Sequence, residues 1–155
     1  MKKPPVKILR VTTIRDARDL DKVDIAVWGS KDPRHHRFFE YFLGYGMRVY
    51  RLVVGGENAG ALVTGYPTSA NLMEVEEIMV LPGFQGRGLG KLCLTFARKE
   101  ARRRGHRGIV VEVDLRNRHA IKWYQRVGMK TVGHVVVDNE KAWIEEERVV
   151  KGRDK

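Results

Sequence analysis

Residues 85–90, Gln85-Gly86-Arg87-Gly88-Leu89-Gly90, set three glycines between two stretches of different periodicity. Before them, residues 72–81 are β-prone and close on Pro82-Gly83, as a strand does at its end. After them, Leu89, Leu92, Cys93, Phe96 and Ala97 recur at helical spacing over residues 88–104, and Gly105 closes the run. Glycine lets the backbone turn tightly from strand into helix and leaves the first N–H groups of the helix without a side-chain partner. Together with the helix dipole and the charge of Arg87, such a turn favours phosphate, and a diphosphate is the predicted cargo. Two other phosphate loops do not match. No GKS or GKT ending follows, as a Walker A loop needs, and the third glycine of a GxGxxG dinucleotide loop would fall on Lys91.

The remaining pattern predicts one domain over residues 1–155, with a core from about 7 to 150 and short basic tails. The chain has 155 residues, 43% of them hydrophobic, which suits a single core. A first strand is expected over residues 8–14, then a helix capped by Asp16 or Asp19 that carries Leu20, Val23, Ala26 and Val27 on one face. A break at residues 30–35 precedes an aromatic-faced helix with Phe38, Phe39, Phe42 and Leu43, ending near Gly44 or Gly46. Strands over 48–54 and 59–65 flank the hairpin signature Gly55-Gly56-Glu57-Asn58. Residues 109–115 read as a central strand. Asn117 caps a helix through Ala120, Ile121 and Tyr124 that ends at Gly128, and residues 129–137 and 142–150 read as two closing strands joined at Asp138-Asn139. The predicted fold class is α/β: a central mixed, twisted sheet of about seven strands, flanked by about four helices.

The glycine turn and its surroundings resemble the GNAT acetyltransferases. Gln85, Gly88 and Gly90 match that family's Q/R-x-x-G-x-G/A acyl-coenzyme A signature, and residues 78–82 (IMVLP) look like its fourth strand. Asn117, Ala120, Tyr124, Gly128 and Met129 are similar to its N-x-x-A-x-x-x-Y-x-x-x-G-F segment, with Met in place of the usual Phe. Within the family, the pattern VEVDLRN resembles the ribosomal-protein alanine and other N-terminal protein acetyltransferases. The resemblance implies an acetyl-CoA-dependent N-acetyltransferase with acetyl-CoA as cosubstrate and no metal. The backbone N–H groups of Gln85, Gly86, Arg87, Gly88, Leu89 and Gly90 would hold the pyrophosphate. Pantetheine would lie where the fourth and fifth strands splay apart, pairing with the backbone of Ile78, Met79 and Val80. Asn117 and Tyr124 would complete the cofactor site.

Acetyl transfer needs a neutral amine close to the thioester and a proton for the departing thiolate. The resemblance implies Glu112 as general base and Tyr124 as the proton donor, with Glu74 as the alternative base. On strand alternation alone, Glu74, Glu76, Ile78 and Val80 share one face of their strand, and Val75, Glu77 and Met79 the other. Each of these residues also has a structural reading. Glu112 as an arginine partner, Tyr124 as a core aromatic, Asn117 as a helix cap, and Glu76 and Glu77 as structural or substrate-orienting groups all stay open. The implied acceptor is a peptide or protein N-terminal α-amine. A small-molecule amine or a protein lysine is the alternative.

Net charge is +11, from 30 Lys and Arg against 19 Asp and Glu, so the surface draws anions and disfavours strongly cationic polyamines, unless Glu74, Glu76 and Glu77 form a local acidic pocket. Arg98, Lys99, Arg102, Arg103, Arg104 and Arg107 are most simply a solvated helix surface. Neither zinc-finger spacing nor an RNP motif supports nucleic acid as the sole partner, and a coenzyme A sensor without chemistry is the other non-catalytic reading. The histidines show no metal-ligand spacing. Trp28, Phe38, Phe39 and Phe42 are core candidates, and Trp123 and Trp143 serve either the sheet or a subunit contact in a homodimer. The single cysteine, Cys93, leaves no disulfide framework, and neither a signal-peptide pattern nor an apolar run of bilayer length is present, so a cytoplasmic, non-membrane protein is expected.

Overall fold

The computed structural model describes residues 2–29, 37–133 and 135–143, with the side chains of Val27 and Trp28 left aside. The break expected at 30–35, the core role expected of Trp28 and most of the strand expected at 142–150 lie outside that description. The elements run β1 (Val6–Val11), α1 (Ile14–Trp28), α2 (Phe38–Gly44), β2 (Arg48–Val54), β3 (Glu57–Pro67), β4 (Met73–Val80), a short 3-10 turn (Pro82–Phe84), α3 (Leu89–Arg103), β5 (Ile109–Glu112), α4 (Arg118–Arg126), β6 (Lys130–Val132) and β7 (Val135–Val137). Among the described residues, seven strands form one sheet in the order β1-β2-β3-β4-β5-β7-β6, accompanied by the helices α1 to α4, as the sequence predicts.

Two compact units can be described. The first comprises Met1–Thr64 and Glu77–Cys93. Its antiparallel β1, β2 and β3 follow from the β-branched runs and from the turn at Gly55-Gly56, where φ values of 57° and 85° suit a two-residue hairpin joining Val54 to Glu57. Its core gathers Val11, Ala17, Leu20, Phe39, Val49, Ala61, Val63, Met79 and Leu81. Gly60 lies so close under the carbonyl of Met79 that a Cβ there would meet it, which forces glycine in β3. The N-cap of α1 is Thr13, whose hydroxyl accepts from Asp16 N at 3.2 Å. This corrects the expected caps Asp16 and Asp19, which both lie inside the helix, and it moves Ile14 from strand to helix. Ala26 is exposed and Ala17 is buried in its stead.

Phe38, Phe39 and Phe42 gather by edge-to-face contacts, with Phe39 fully buried. The N-cap position of α2, Arg37, makes no side-chain capping bond. The cap comes instead from α1. The buried carboxylate of Asp21 accepts Phe39 N at 2.7 Å through Oδ1 and Glu40 N at 3.2 Å through Oδ2. Burial raises its pKa, and those two N–H donors pull it back. A salt bridge from Arg18 to Glu40 at 3.2 Å ties the same two helices at the surface.

The second unit comprises Gly65–Glu76 and Leu94–Lys155. Here β5 pairs antiparallel with β7, and β7 with β6, while a core of Ala70, Leu72, Val110, Val135, Val137 and Ala142 lies against Trp143. The closing pair of strands differs from the expectation. The stretch expected as one strand over 129–137 is a hairpin, β6 and β7, whose turn includes Gly133 at φ 58°. Residues 140–143 are helical, because Asn139 Oδ1 accepts Ala142 N at 3.1 Å, a capping bond that competes with a strand start. Asp138 anchors β5, its Oδ1 accepting Ile109 N at 2.7 Å, with Arg98 3.7 Å from its other oxygen. Asn71, at φ 62°, donates to Gly105 O and accepts from His106 Nδ1, the latter at 2.7 Å, clasping the β3–β4 loop to the α3–β5 turn. No helix among the described residues is long and apolar enough to cross a membrane.

Replacing Asp21 by Ala should lower unfolding stability by about 2 kcal/mol, through loss of a cap and exposure of two N–H donors without acceptors. Urea denaturation checks this. An unchanged midpoint would show that Asp21 is not what starts α2.

Candidate active site

The glycine turn lies in the first unit. After the 3-10 turn, Gln85 is extended, Gly86 and Gly88 take φ values of 77° and 76°, and α3 starts at Leu89. A Cβ on either glycine would meet nothing within 4 Å, so the requirement for glycine there comes from the positive φ and not from crowding. Leu92 N already bonds to Gly88 O at 3.1 Å, which makes Gly88 the last residue before the helix. It has no side chain to cap the first turn, and no acidic residue stands in that turn. The N–H groups at this helix start therefore have neither a side-chain acceptor from Gly88 nor a carboxylate to offset the dipole, and an anionic oxygen fits both needs.

The two long side chains of the turn bend back onto it. Gln85 Nε2 donates to Val80 O at 3.0 Å. Arg87 donates to Gly83 O at 3.2 Å and stacks its guanidinium 5.2 Å from the centre of the Phe84 ring. Both side chains brace the loop, while its backbone does the presenting. The carbonyl of Val80 thus accepts one hydrogen bond from Gln85 and keeps a second lone pair. Met79 is buried, and Ile78 and Val80 are half-buried.

In the second unit, β4 pairs parallel with β5 at only two positions, Met73 with Ile109 and Glu74 with Val110. Beyond them β5 continues to Glu112 without a further β4 partner. A cleft of about 330 Å³ opens there, lined by Glu74, Val75, Glu76, Val110, Glu112, Val135 and Trp143. Two of the sequence-derived candidates, Glu74 and Glu112, are thereby brought together with Glu76. The central strand expected over 109–115 ends at Glu112, and Glu112 is exposed. Tyr124 is half-buried on α4, 5.0 Å from the Trp123 ring in an edge-on contact. Asn117 Oδ1 accepts Ala120 N at 3.1 Å, so its side chain serves as the helix cap.

A titratable group that alternation undervalued stands in the first unit. Glu77 is pushed up to about 7, chiefly by burial and further by the charge of Asp24 on α1. Spacing alone signals only its face of the strand. The partner on α1 is a tertiary fact with no mark in the local sequence. Among the described residues no cluster of three or more His, Cys, Asp or Glu is arranged to hold a metal ion.

The family model described as Acetyltransferase (GNAT) family matches residues 13–129. An uncharacterized N-acetyltransferase of Methanocaldococcus jannaschii is 39% identical over 57 residues, covering 37% of this chain and 25% of that protein. The streptothricin acetyltransferase of Streptomyces lavendulae is 33% identical over 78 residues, covering 50% of this chain and 41% of that one. The match thus spans less than half the length of either curated relative. Among solved structures, a GNAT family acetyltransferase from Brucella melitensis in complex with acetyl-CoA superposes with a TM-score of 0.66 at 18% identity, covering 86% of each chain, and shares the fold.

The raised Glu77 carries a stability consequence. Its folded value, about 7, exceeds the ordinary 4.5, so between those values the native state binds more protons than the unfolded chain, and stability falls as pH rises through that window. The full effect is about 3 kcal/mol at most. Urea midpoints of wild type and Glu77→Gln between pH 4 and 8 should diverge in favour of the variant toward pH 8; parallel curves would refute the burial of this carboxylate.

Proposed function

This chain belongs to the acetyltransferase (GNAT) family, and from that premise we propose that it transfers the acetyl group of acetyl-CoA directly to a primary amine in a ternary complex. The observation that carries this reading is the glycine-lined start of α3, with no acidic residue in its first turn, which suits the anionic end of coenzyme A. The backbone of Gln85, Gly86, Arg87, Gly88, Leu89 and Gly90 would hold the pyrophosphate, with Ile78, Met79, Val80, Asn117 and Tyr124 completing the cofactor site. Residues 1–155 would act as one N-acetyltransferase domain.

When bound, acetyl-CoA supplies the activated acyl carbon. The side chains move the protons. Glu112 takes the proton that the amine loses as its nitrogen forms the C–N bond. Tyr124 Oη gives one to the sulfur as the C–S bond breaks, and Glu74 is the alternative base. The position of Glu112 and Glu74 in one cleft supports this division of labour. A second reading of the base is favoured by Glu77, whose pKa of about 7 suits proton abstraction near neutrality.

The resemblance around Glu112 favours a peptide or protein N-terminal α-amine as acceptor, and the streptothricin-acetylating relative favours a small-molecule amine. A cytoplasmic location fits either.

Glu112→Gln and Tyr124→Phe should each lower kcat by roughly 100-fold while leaving coenzyme A affinity within about twofold. Rate against pH separates the bases: loss of the limb near pH 7 in Glu77→Gln, with Glu112→Gln still active, assigns the proton to Glu77 instead. Gly88→Asp should weaken coenzyme A binding by at least about tenfold, and Gly88→Ala by less, because alanine adds only the cost of positive φ while aspartate adds charge. Equal affinities across wild type and both variants, measured by calorimetry, would remove the turn from the cofactor site.

A further inference from the structure

Asn71 is the one residue other than glycine with a positive φ, 62°, among the described residues, and every polar group it has is bonded. Its N–H donates to Thr68 O at 2.9 Å, and its carbonyl accepts Arg107 N at 2.8 Å. Its Nδ2 donates to Gly105 O at 2.9 Å, which fixes the amide and leaves Oδ1 to face the ring of His106, 2.7 Å from Nδ1. An amide oxygen only accepts, so Nδ1 carries the proton of the neutral ring and Nε2 holds a bare lone pair. Nε2 is buried and has no hydrogen-bond partner among the described residues. The backbone of His106 is held as well, its N–H donating to Ala101 O at 2.8 Å.

That arrangement suits one protonation state. A neutral ring leaves only a weak acceptor unmet, whereas an imidazolium brings a buried donor without an acceptor and a charge close to Arg104. The elements joined here carry charge on Glu100, Arg102 and Arg103 of α3, on Arg104 and Arg107 of the turn that follows, and on Asp138 after β7; the β3–β4 loop, residues 68–72, carries none. Glu100 is engaged by Arg103, and Asp138 by Ile109 N and Arg98. Burial, and then the charge of Arg104, hold the His106 imidazole below its ordinary 6.5.

The clasp stands at the root of the cleft. Arg104 Nη1 donates to Met73 Sδ at 3.6 Å and Met73 N to Gly108 O at 2.9 Å, and the β4–β5 ladder follows at once, Met73 with Ile109 and Glu74 with Val110. A ladder of two pairs depends on what ties its end, and these strands carry Glu74 and Glu112 into the cleft wall.

We propose that His106 and Asn71 form an acid-released clasp: the neutral ring holds β4 and β5 together at the base of the cleft, and a proton taken from solvent at Nε2 releases it. Because the folded state binds this proton less readily than the unfolded chain, the tie is at full strength above the ordinary 6.5 and weakens as pH falls below it. The inference concerns the two strands themselves, whatever the cleft accepts.

Hydrogen exchange on the full chain tests it. Between about pH 7.5 and 5, protection of the Met73 and Arg107 amides, corrected for intrinsic exchange, should fall at least about threefold relative to the amides of β2. His106→Asn supplies an N–H donor near the Nδ1 position but cannot titrate, so the fall should vanish. In Asn71→Asp a carboxylate faces the ring and favours imidazolium, so protection should instead rise as pH falls. Unchanged protection in wild type, or a fall of wild-type size in His106→Asn, overturns the proposal. Should neither variant fold, NMR titration of the His106 ring in the wild-type chain decides: a midpoint below 6.5 that coincides with the loss of protection sustains the clasp, and one at or above 6.5 overturns it.

Discussion

The parallel pairing of β4 with β5 is the constraint from which the functional architecture follows. Parallel neighbours need a crossover, and α3 supplies it, so the chain must leave β4 and enter a helix within a few residues. That junction is where Gly86 and Gly88 take their positive φ values and where the helix starts with no acidic residue in its first turn. The pairing is also brief. Two registered pairs hold the strands at Met73 and Glu74, and the ladder then gives out before Glu112, so polar side chains of both strands border a cleft where a longer ladder would have closed the sheet.

Charge is distributed by role. Cationic side chains that looked like a solvated face are partly structural: Arg98 reaches Val127 O and Asp138, and Arg103 pairs with Glu100. The Arg98 contacts hold α3 to its neighbours, and the Arg103–Glu100 pair lies within α3 itself. Carboxylates divide into those that satisfy backbone, Asp21 and Asp138, and those that face a cleft or a second acid, Glu74, Glu76, Glu112 and Glu77. Satisfied carboxylates offset their own burial through N–H donors. The second group borders a cleft or another acid, and its members are where proton transfer is physically available.

Much of this was legible in the sequence because it depends on local chemistry. The glycine turn, the Gly55-Gly56 hairpin, the Asn117 cap and the helical stripe of α3 are each written within a few consecutive residues, and each stands where the pattern put it. Misses arose where two local signals competed. Thr13, Asp16 and Asp19 are all acceptable caps, and only the backbone of Thr13, extended at φ −115°, decides among them. Residues 129–137 have uniform β-propensity, and the turn at Gly133 that breaks them in two is a weak signal within a strand run. Asn139 similarly outweighs the β-prone residues after it.

The site was legible only in part, for a different reason. Glu112 and Glu74 carried a family pattern, but Asp21 capping α2, Asp24 beside Glu77, and Glu76 over Gly65 are partnerships between distant or differently oriented residues. In each case one member looks ordinary alone: an aspartate in a helix, a glutamate in a strand, a glycine near a strand end. Gly65 is the clearest example. A sequence reading assigns such a glycine to a bulge or a strand end, yet its backbone is not in the left-handed region, and its value lies in the side chain that occupies its empty space. The cleft therefore draws together residues whose significance appears only once the strands are side by side, while the glycine turn is carried by residues that are neighbours in the chain.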